Sequence, residues 1–178
     1  LLSYSSSLCG ALLIAVCLGT LLGTRPAAAQ DAFITTWETT SANESITIPT
    51  NGGFNTTDYD FEIDWGDGTT ETFTGDDPDP THIYATAGTY TVSITGTFPH
   101  LYLDAGFEGS GDSENAQKLQ SIDRWGLIEW ESMEGAFAGA STMTYNATDA
   151  PDLSGVTDMS QMFNEASRFN GNISDWDV

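Results

Sequence analysis

The feature that most constrains this chain is a repeat in its C-terminal part. Leu127, Trp130, Met133, Phe137 and Ala140 return as Leu153, Val156, Met159, Phe163 and Ala166, each pair 26 residues apart, as in 159 − 133. Met143 and Phe169 hold the same register. A fixed period in this range marks a solenoid, in which one unit cannot bury its apolar face until a neighbour stacks on it. Met and Phe four apart share one face of a helix, so Met133 to Ala140 and Met159 to Ala166 are predicted as short helical turns. Leu153 to Val156 and Ile173 to Val178 are predicted as short strands or extended rungs. The Met and aromatic positions read as core rather than as a cofactor box.

Ahead of the repeat the period is two. In Tyr59-Asp60-Phe61-Glu62-Ile63-Asp64-Trp65 the aromatics and Ile fall on one face and the acids on the other. Thr89 to Thr95 alternates Val and Ile with Thr and Ser, and Ser45 to Ile48 is a shorter copy. These are half-buried antiparallel strands. Asn51-Gly52-Gly53, Gly66-Asp67-Gly68, Asp76 to Pro80 and Ala87-Gly88 punctuate them as turns. Short strands at this spacing predict a β-sandwich over residues 33–104. The Gly, Ser and acid stretch that follows predicts a linker or loop over 105–117, and the repeats fill 118–178.

Both halves resemble known families. Asp64-Trp65-Gly66-Asp67-Gly68-Thr69, then Thr81-His82-Ile83-Tyr84, then Ala87-Gly88-Thr89-Tyr90-Thr91-Val92 resembles the PKD domain in order and spacing. That resemblance implies an immunoglobulin-like sandwich, used mostly as a spacer or interaction module in surface proteins and secreted hydrolases. Leu153-Ser154-Gly155-Val156-Thr157-Asp158-Met159-Ser160-Gln161-Met162-Phe163, Phe169-Asn170-Gly171-Asn172-Ile173 and Trp176-Asp177-Val178 resemble BspA-like leucine-rich-repeat surface proteins. Lys118 to Ile122 with Trp125-Gly126 resembles the opening unit of such arrays. The earlier unit departs from the spelling at Trp130-Glu131-Ser132-Met133, as a terminal capping repeat does. The expected fold class is therefore mainly β: a signal peptide, a PKD-like sandwich, then the truncated start of a leucine-rich-repeat-like solenoid with short helices.

The first 29 residues read as an address. Leu8 to Gly23 is apolar but short and rich in Gly and Thr, a poor membrane span. Ala27 and Ala29 supply the small residues of a signal-peptidase site, with cleavage expected after Ala29. A retained N-terminal anchor is the competing reading. The chain starts with Leu and carries no Lys or Arg before the apolar run, and it stops mid-unit at Val178, so the frame is expected to extend at both ends. Cys9 and Cys17 both lie in the signal, which leaves a mature chain without disulfides, thiolate metal sites or a Cys nucleophile.

With 26 Asp plus Glu against 4 Lys plus Arg, the formal charge is −22. Phosphate backbones and anionic membrane surfaces repel such a field, so nucleic acid and acidic membranes are excluded as partners. The 11% aromatic content separates it from disordered acidic chains.

No catalytic constellation is spelled, and no catalytic, cofactor-binding or metal-binding residue is assigned. His82 reads as a structural hydrogen-bonding residue of the PKD motif, and His100 has no partner recognisable in the sequence. Glu131 and Glu134 could form a glycosidase-like carboxylate pair, but among so many acids such pairs arise by chance. Asp76, Asp77 and Asp79 leave Ca²⁺ open as a cofactor, without the EF-hand pattern; solvated turn acids are the simpler reading. The expected function is non-catalytic: a secreted or cell-surface protein engaged in adhesion or protein-protein interaction through the solenoid, with the sandwich as spacer. Its partners are expected to be extracellular or cell-surface proteins or glycans. The alternative is an accessory, substrate-binding region of a larger secreted hydrolase.

Overall fold

The computed structural model describes residues 31–50, 58–76, 78–103 and 113–178. The signal segment 1–29 and the Asn51-Gly52-Gly53 turn lie outside them. The strands are β1 (Phe33–Thr39), β2 (Glu44–Thr47), β3 (Tyr59–Asp64), β4 (Thr70–Gly75), β5 (Thr81–Tyr84) and β6 (Gly88–Thr97), and the three alternating segments of the sequence fall on β2, β3 and β6. In β3 the burial alternates residue by residue, Tyr59, Phe61 and Ile63 inward and the acids outward. The chain then forms a short helix α1 (Ser113–Lys118) within the stretch predicted as linker, followed by β7 (Leu119–Arg124) and β8 (Thr144–Tyr145).

The fold is mainly β and sandwich-like. One sheet has the order β4-β3-β6-β1-β7-β8, and the facing one is the β2-β5 pair. β7 comes from the repeat region, yet it pairs antiparallel with β1, so the main sheet crosses the boundary drawn in the sequence between sandwich and repeats. β8 then adds in parallel, Ser121 opposite Thr144 and Ile122 opposite Tyr145. The core crosses with the sheet. Phe33 of β1 stacks on Trp125 at 5.6 Å and meets Trp130 edge-on at 5.1 Å, and Phe98 reaches Trp130 at 5.9 Å. These residues, with Trp37, Trp65, Met133 and Phe137, form one continuous cluster.

α1 closes the outer edge of β2. The Thr47 N–H donates to Asn115 Oδ1 at 3.0 Å and Asn115 Nδ2 donates to the Thr47 carbonyl at 2.9 Å, so one amide side chain replaces a neighbouring strand. Lys118 Nζ donates to the Ser45 carbonyl at 2.7 Å and pairs with Glu44 at 3.2 Å. Unpaired strand edges invite other chains, and this edge is occupied.

The repeat stacks in the predicted register, but by a different local structure. The N–H groups of Met133, Gly135, Phe137 and Gly139 donate to the carbonyls of Asp158, Ser160, Met162 and Asn164 at 2.8–3.0 Å. The intervening N–H groups of Ala136, Ala138 and Ala140 close tight turns onto the carbonyls of Met133, Gly135 and Phe137. Met159 to Ala166 repeats this set of turns. The segments predicted as helical are therefore chains of turns. Gly135 and Gly139 have φ of 58° and 75°, and their counterparts Gln161 and Glu165 have 58° and 59°. A left-handed residue at every fourth position breaks a right-handed helix and turns alternate N–H groups outward. Phe137 stacks on Phe163, 26 residues on, at 5.7 Å and 13°.

The pairings ahead of Met133, Leu127 with Leu153 and Trp130 with Val156, are corrected. Leu127 is 70% exposed whereas Leu153 is buried, and Ile128 takes the inward position beside Leu127. Glu129 bridges Asp152, a spacing of 152 − 129 = 23, so three extra residues in the second unit separate this rung from the 26-residue register at Met133. Gly155 sits within that insertion against the Trp130 carbonyl, where a Cβ would come within 2.8 Å.

Two stability predictions follow from these contacts. Gly135→Ala should cost about 1 kcal/mol in denaturant unfolding, a left-handed penalty of ~1–2 kcal/mol less the unfolded-chain entropy alanine saves. Gln161→Gly should have the opposite sign, gaining up to ~1 kcal/mol; equal signs for the two would refute the strain account. Glu44 accepts the N–H groups of Thr40 at 2.7 Å and Ser41 at 3.1 Å. The Thr40 N–H above all, with Ser41 and Lys118, holds its carboxyl down from 4.5 to about 2. A depressed carboxylate contributes stability that is complete above pH 4.5 and lost as pH falls towards 2. Glu44→Gln should flatten unfolding stability across that window, and an unchanged slope would rule the contact out as its source.

Candidate interaction surface

The PKD-like motif residues converge at one end of the sandwich. Asp64 and Asp67 each accept the N–H two residues ahead, Gly66 at 2.9 Å and Thr69 at 2.9 Å, which shapes the Trp65 to Thr69 turn. Gly66 has φ 78° and its missing Cβ would lie 2.4 Å from the Thr91 carbonyl oxygen, so only glycine fits. His82 Nε2 lies 2.9 Å from Asp67 Oδ2. Its ring stacks on Trp65 at 5.1 Å and 16°. The Tyr84 hydroxyl donates to the Trp65 carbonyl at 2.9 Å, and Trp65 Nε1 donates to Glu71 at 2.8 Å. The His82 bond holds Asp67 below the usual carboxylate range, and burial pushes the Tyr84 phenol above its own. Asp64, Asp67, His82 and Tyr84 thus bond within the motif, and Trp65 bonds to Glu71 beside it. Asp and His here clamp strands together.

The acidic turn divides. Asp79 Oδ1 accepts the Thr50 N–H at 2.7 Å, Asp76 is exposed, and Asp77 lies outside the described residues. Among the described residues no group of three or more His, Cys, Asp or Glu side chains could hold a metal ion.

His100, without a partner in the sequence, gains one from the repeat. It is buried, and Nε2 donates to the Glu134 carbonyl at 2.8 Å. Burial keeps its pKa below the ordinary value, which favours the neutral ring. The Glu131 and Ser132 N–H groups donate to the Pro99 carbonyl at 3.0 and 3.4 Å. Glu134 and Glu131 thus contribute backbone to the junction of the two halves. Chain distance hid this contact, since 34 residues separate His100 from Glu134.

Concavities lie on the repeat among the described residues. One, of about 640 Å³, sits at the junction and is lined by Pro99, Leu127, Glu129, Glu131, Asp152 and Gly155. Another, of about 400 Å³, is apolar and lies on the outer side of the second unit, lined by Met159, Met162, Phe163, Ile173, Trp176 and Val178. Met159 and Ile173 are 38% and 45% exposed, unusual for such side chains. A third, of about 390 Å³, is lined by Tyr145, Asp149, Asn172 and Trp176; Asp149 there accepts the N–H groups of Trp125 and Gly126 at 3.0–3.2 Å, just past the end of β7.

The motif cluster yields one test. His82→Ala removes the Asp67 bond and the Trp65 stack, and should lower unfolding stability by about 1–3 kcal/mol. Denaturant melts of equal midpoint for the variant and the parent would exclude the clamp.

Comparison with known families finds two matches. Residues 36–99 match the model of the PKD domain. Residues 108–178 match a family described as Mycoplasma protein of unknown function, DUF285. No curated protein and no solved structure matches the chain. Among the described residues no helix is long and apolar enough to cross a membrane. The matched domains together point to an extracellular or cell-surface protein with a role in protein interaction.

Proposed function

We propose that the chain is a non-catalytic adhesion module, exported by its N-terminal signal, whose BspA-like leucine-rich repeats engage surface proteins or glycans while the PKD-like sandwich holds them out. The observation that supports this reading is the β1–β7 pairing, which joins repeat and sandwich through one sheet and one core. A module joined this way presents the repeat surface in a fixed orientation, and preorganised surfaces lose less entropy on binding. The strong acidity favours basic or neutral partners and suppresses acidic ones. The spelling of residues 153–178 and the 26-residue stacking support the repeat assignment.

The test is a surface-binding assay with the folded full chain on immobilised extracellular-matrix proteins, whole cells and insoluble polysaccharides. Saturable binding to matrix or cells is expected, and it should weaken with added salt when the partner is basic. Binding to polysaccharide alone would favour the hydrolase-accessory reading instead. Absence of binding to all three surfaces would leave a stalk without a ligand and refute the proposal.

A further inference from the structure

The hollow of Tyr145, Asp149, Asn172, Asp175 and Trp176 draws on both repeat units and combines aromatic with polar lining. At about 390 Å³ it falls within the ~300–1,000 Å³ usual for small-ligand sites. Tyr145 and Trp176 are half-buried and meet at 6.4 Å and 55°, so their rings form a corner rather than a stack. Both rings are held in place by the fold. The Tyr145 hydroxyl accepts from Trp125 Nε1 at 2.9 Å and donates to the Asp149 carbonyl at 3.3 Å. Trp176 meets Trp125 edge-on at 5.4 Å. Gly171 lets the segment that carries Asn172 to Trp176 close on Tyr145, since a Cβ there would lie 2.7 Å from the Tyr145 ring.

The polar groups of the hollow divide into spent and unspent ones. Asp149 accepts the N–H groups of Trp125 and Gly126. Asp175 is its counterpart 26 residues on. Asp149 reaches back 149 − 125 = 24 residues, and 24 residues before Asp175 stands Pro151, which has no N–H to give. Asp175 is exposed, and among the described residues its side chain accepts one long bond, from the Ser174 hydroxyl at 3.5 Å. The repeat therefore keeps the carboxylate where its first backbone donor is missing. Asn172 Oδ1 accepts the Ser174 N–H at 3.1 Å, and the amide keeps two donors on Nδ2.

We propose that this hollow binds a neutral pyranose sugar of a surface glycan, with Trp176 and Tyr145 as the stacking corner and Asp175 and Asn172 as hydroxyl partners. One face of a pyranose carries C–H groups, which suit the negative face of an aromatic ring. Its rim carries hydroxyls that both donate and accept, as a carboxylate beside an amide requires, and a hydroxyl on a carboxylate makes a charge-assisted bond. The formal charge of −22 repels uronate, sulfated and sialylated sugars and leaves neutral ones. A lysine or arginine side chain fits less well, because the Asn172 amide would set donors against donors and Asp149 already serves two backbone N–H groups. The inference deepens the adhesion reading and rests on it for the source of the sugar.

Trp37, Trp65, Trp125 and Trp130 are fully buried, so Trp176 is the tryptophan that a ligand reaches and indole fluorescence reports on this hollow. The experiment titrates the folded full chain with glucose, galactose, mannose and N-acetylglucosamine, each taken well beyond the millimolar range. At least one should give a saturable change in emission with a millimolar midpoint. Asp175→Ala should raise that midpoint by ~10-fold or more and leave the denaturant midpoint unchanged, because its one bond to the fold is long. Asp177→Ala, a neighbouring acid outside the hollow, should leave the sugar midpoint unchanged. No saturable response to any of the four sugars overturns the proposal, and so do equal midpoints in the two variants. A response to tetralysine that Asp175→Ala removes, with none to the sugars, would make the hollow a site for cationic side chains and equally overturn it. The two readings fail separately. A chain that binds free sugar but no surface refutes adhesion alone, and one that binds matrix or cells without answering the sugars refutes this site alone.

Discussion

The structure depends on β1 being hydrogen-bonded along both edges. On one side it pairs with β6 from Phe33 opposite Ile94 to Thr39 opposite Gly88. On the other it takes β7, with two register shifts between Ile34 and Trp37. Thr36 Oγ1 donates to Asp123 across this second pairing at 2.6 Å, spanning 87 residues of chain. The first rung of a repeat stack has no preceding unit to pair with, so it needs a template. β1 provides it, and Phe33 anchors Trp125 and Trp130 from the same strand.

Once the first rung is set, the turns divide the backbone between two tasks. Even-numbered N–H groups from Ala136 to Ala140 close local turns, and odd-numbered ones from Met133 to Gly139 reach the next unit. A helix would spend all of them within one unit, and a flat strand would send both donors and acceptors sideways. The left-handed residues at 135, 139, 161 and 165 make the division possible. The first unit uses glycine there and the second uses Gln161 and Glu165, which accept the strained angle for the ladder it creates.

Much of this was legible in the sequence, and the misses have a common cause. The period-two segments announced β2, β3 and β6, and the WGDG turn announced its own geometry, because both are local. The 26-residue period announced the Phe137–Phe163 stack for the same reason: equivalent positions meet. What pattern could not show was how the N–H groups of Met133 to Gly139 are shared, since Met and Phe four apart suit a helix and a chain of turns equally well. Gly135 and Gly139, also four apart, were the available signal for the left-handed turns. The pairing of Leu127 with Leu153 failed because the second unit carries three more residues between Asp152 and Met159, so the shared register begins only at Met133. The partners of β1, His100 and Asn115 lie far along the chain, and no local pattern encodes them.

The acidity also has a structural share that composition conceals. Asp64, Asp67, Asp152 and Asp158 each accept the N–H two residues ahead, and Asn172 does the same. At the repeat position of Asp158, 26 residues earlier, Ser132 Oγ accepts the Glu134 N–H at 3.2 Å. The repeat thus needs an oxygen at that site rather than a charge, and Asp is one way to place it. Hydrogen bonding to Ser154 and Ser160 holds the carboxyls of Asp152 and Asp158 below their ordinary range, favouring the charged form that accepts best. Four of the 26 acids serve these turns, so part of the acidity is structural. These residues shape the backbone and add to the negative field of the chain at once.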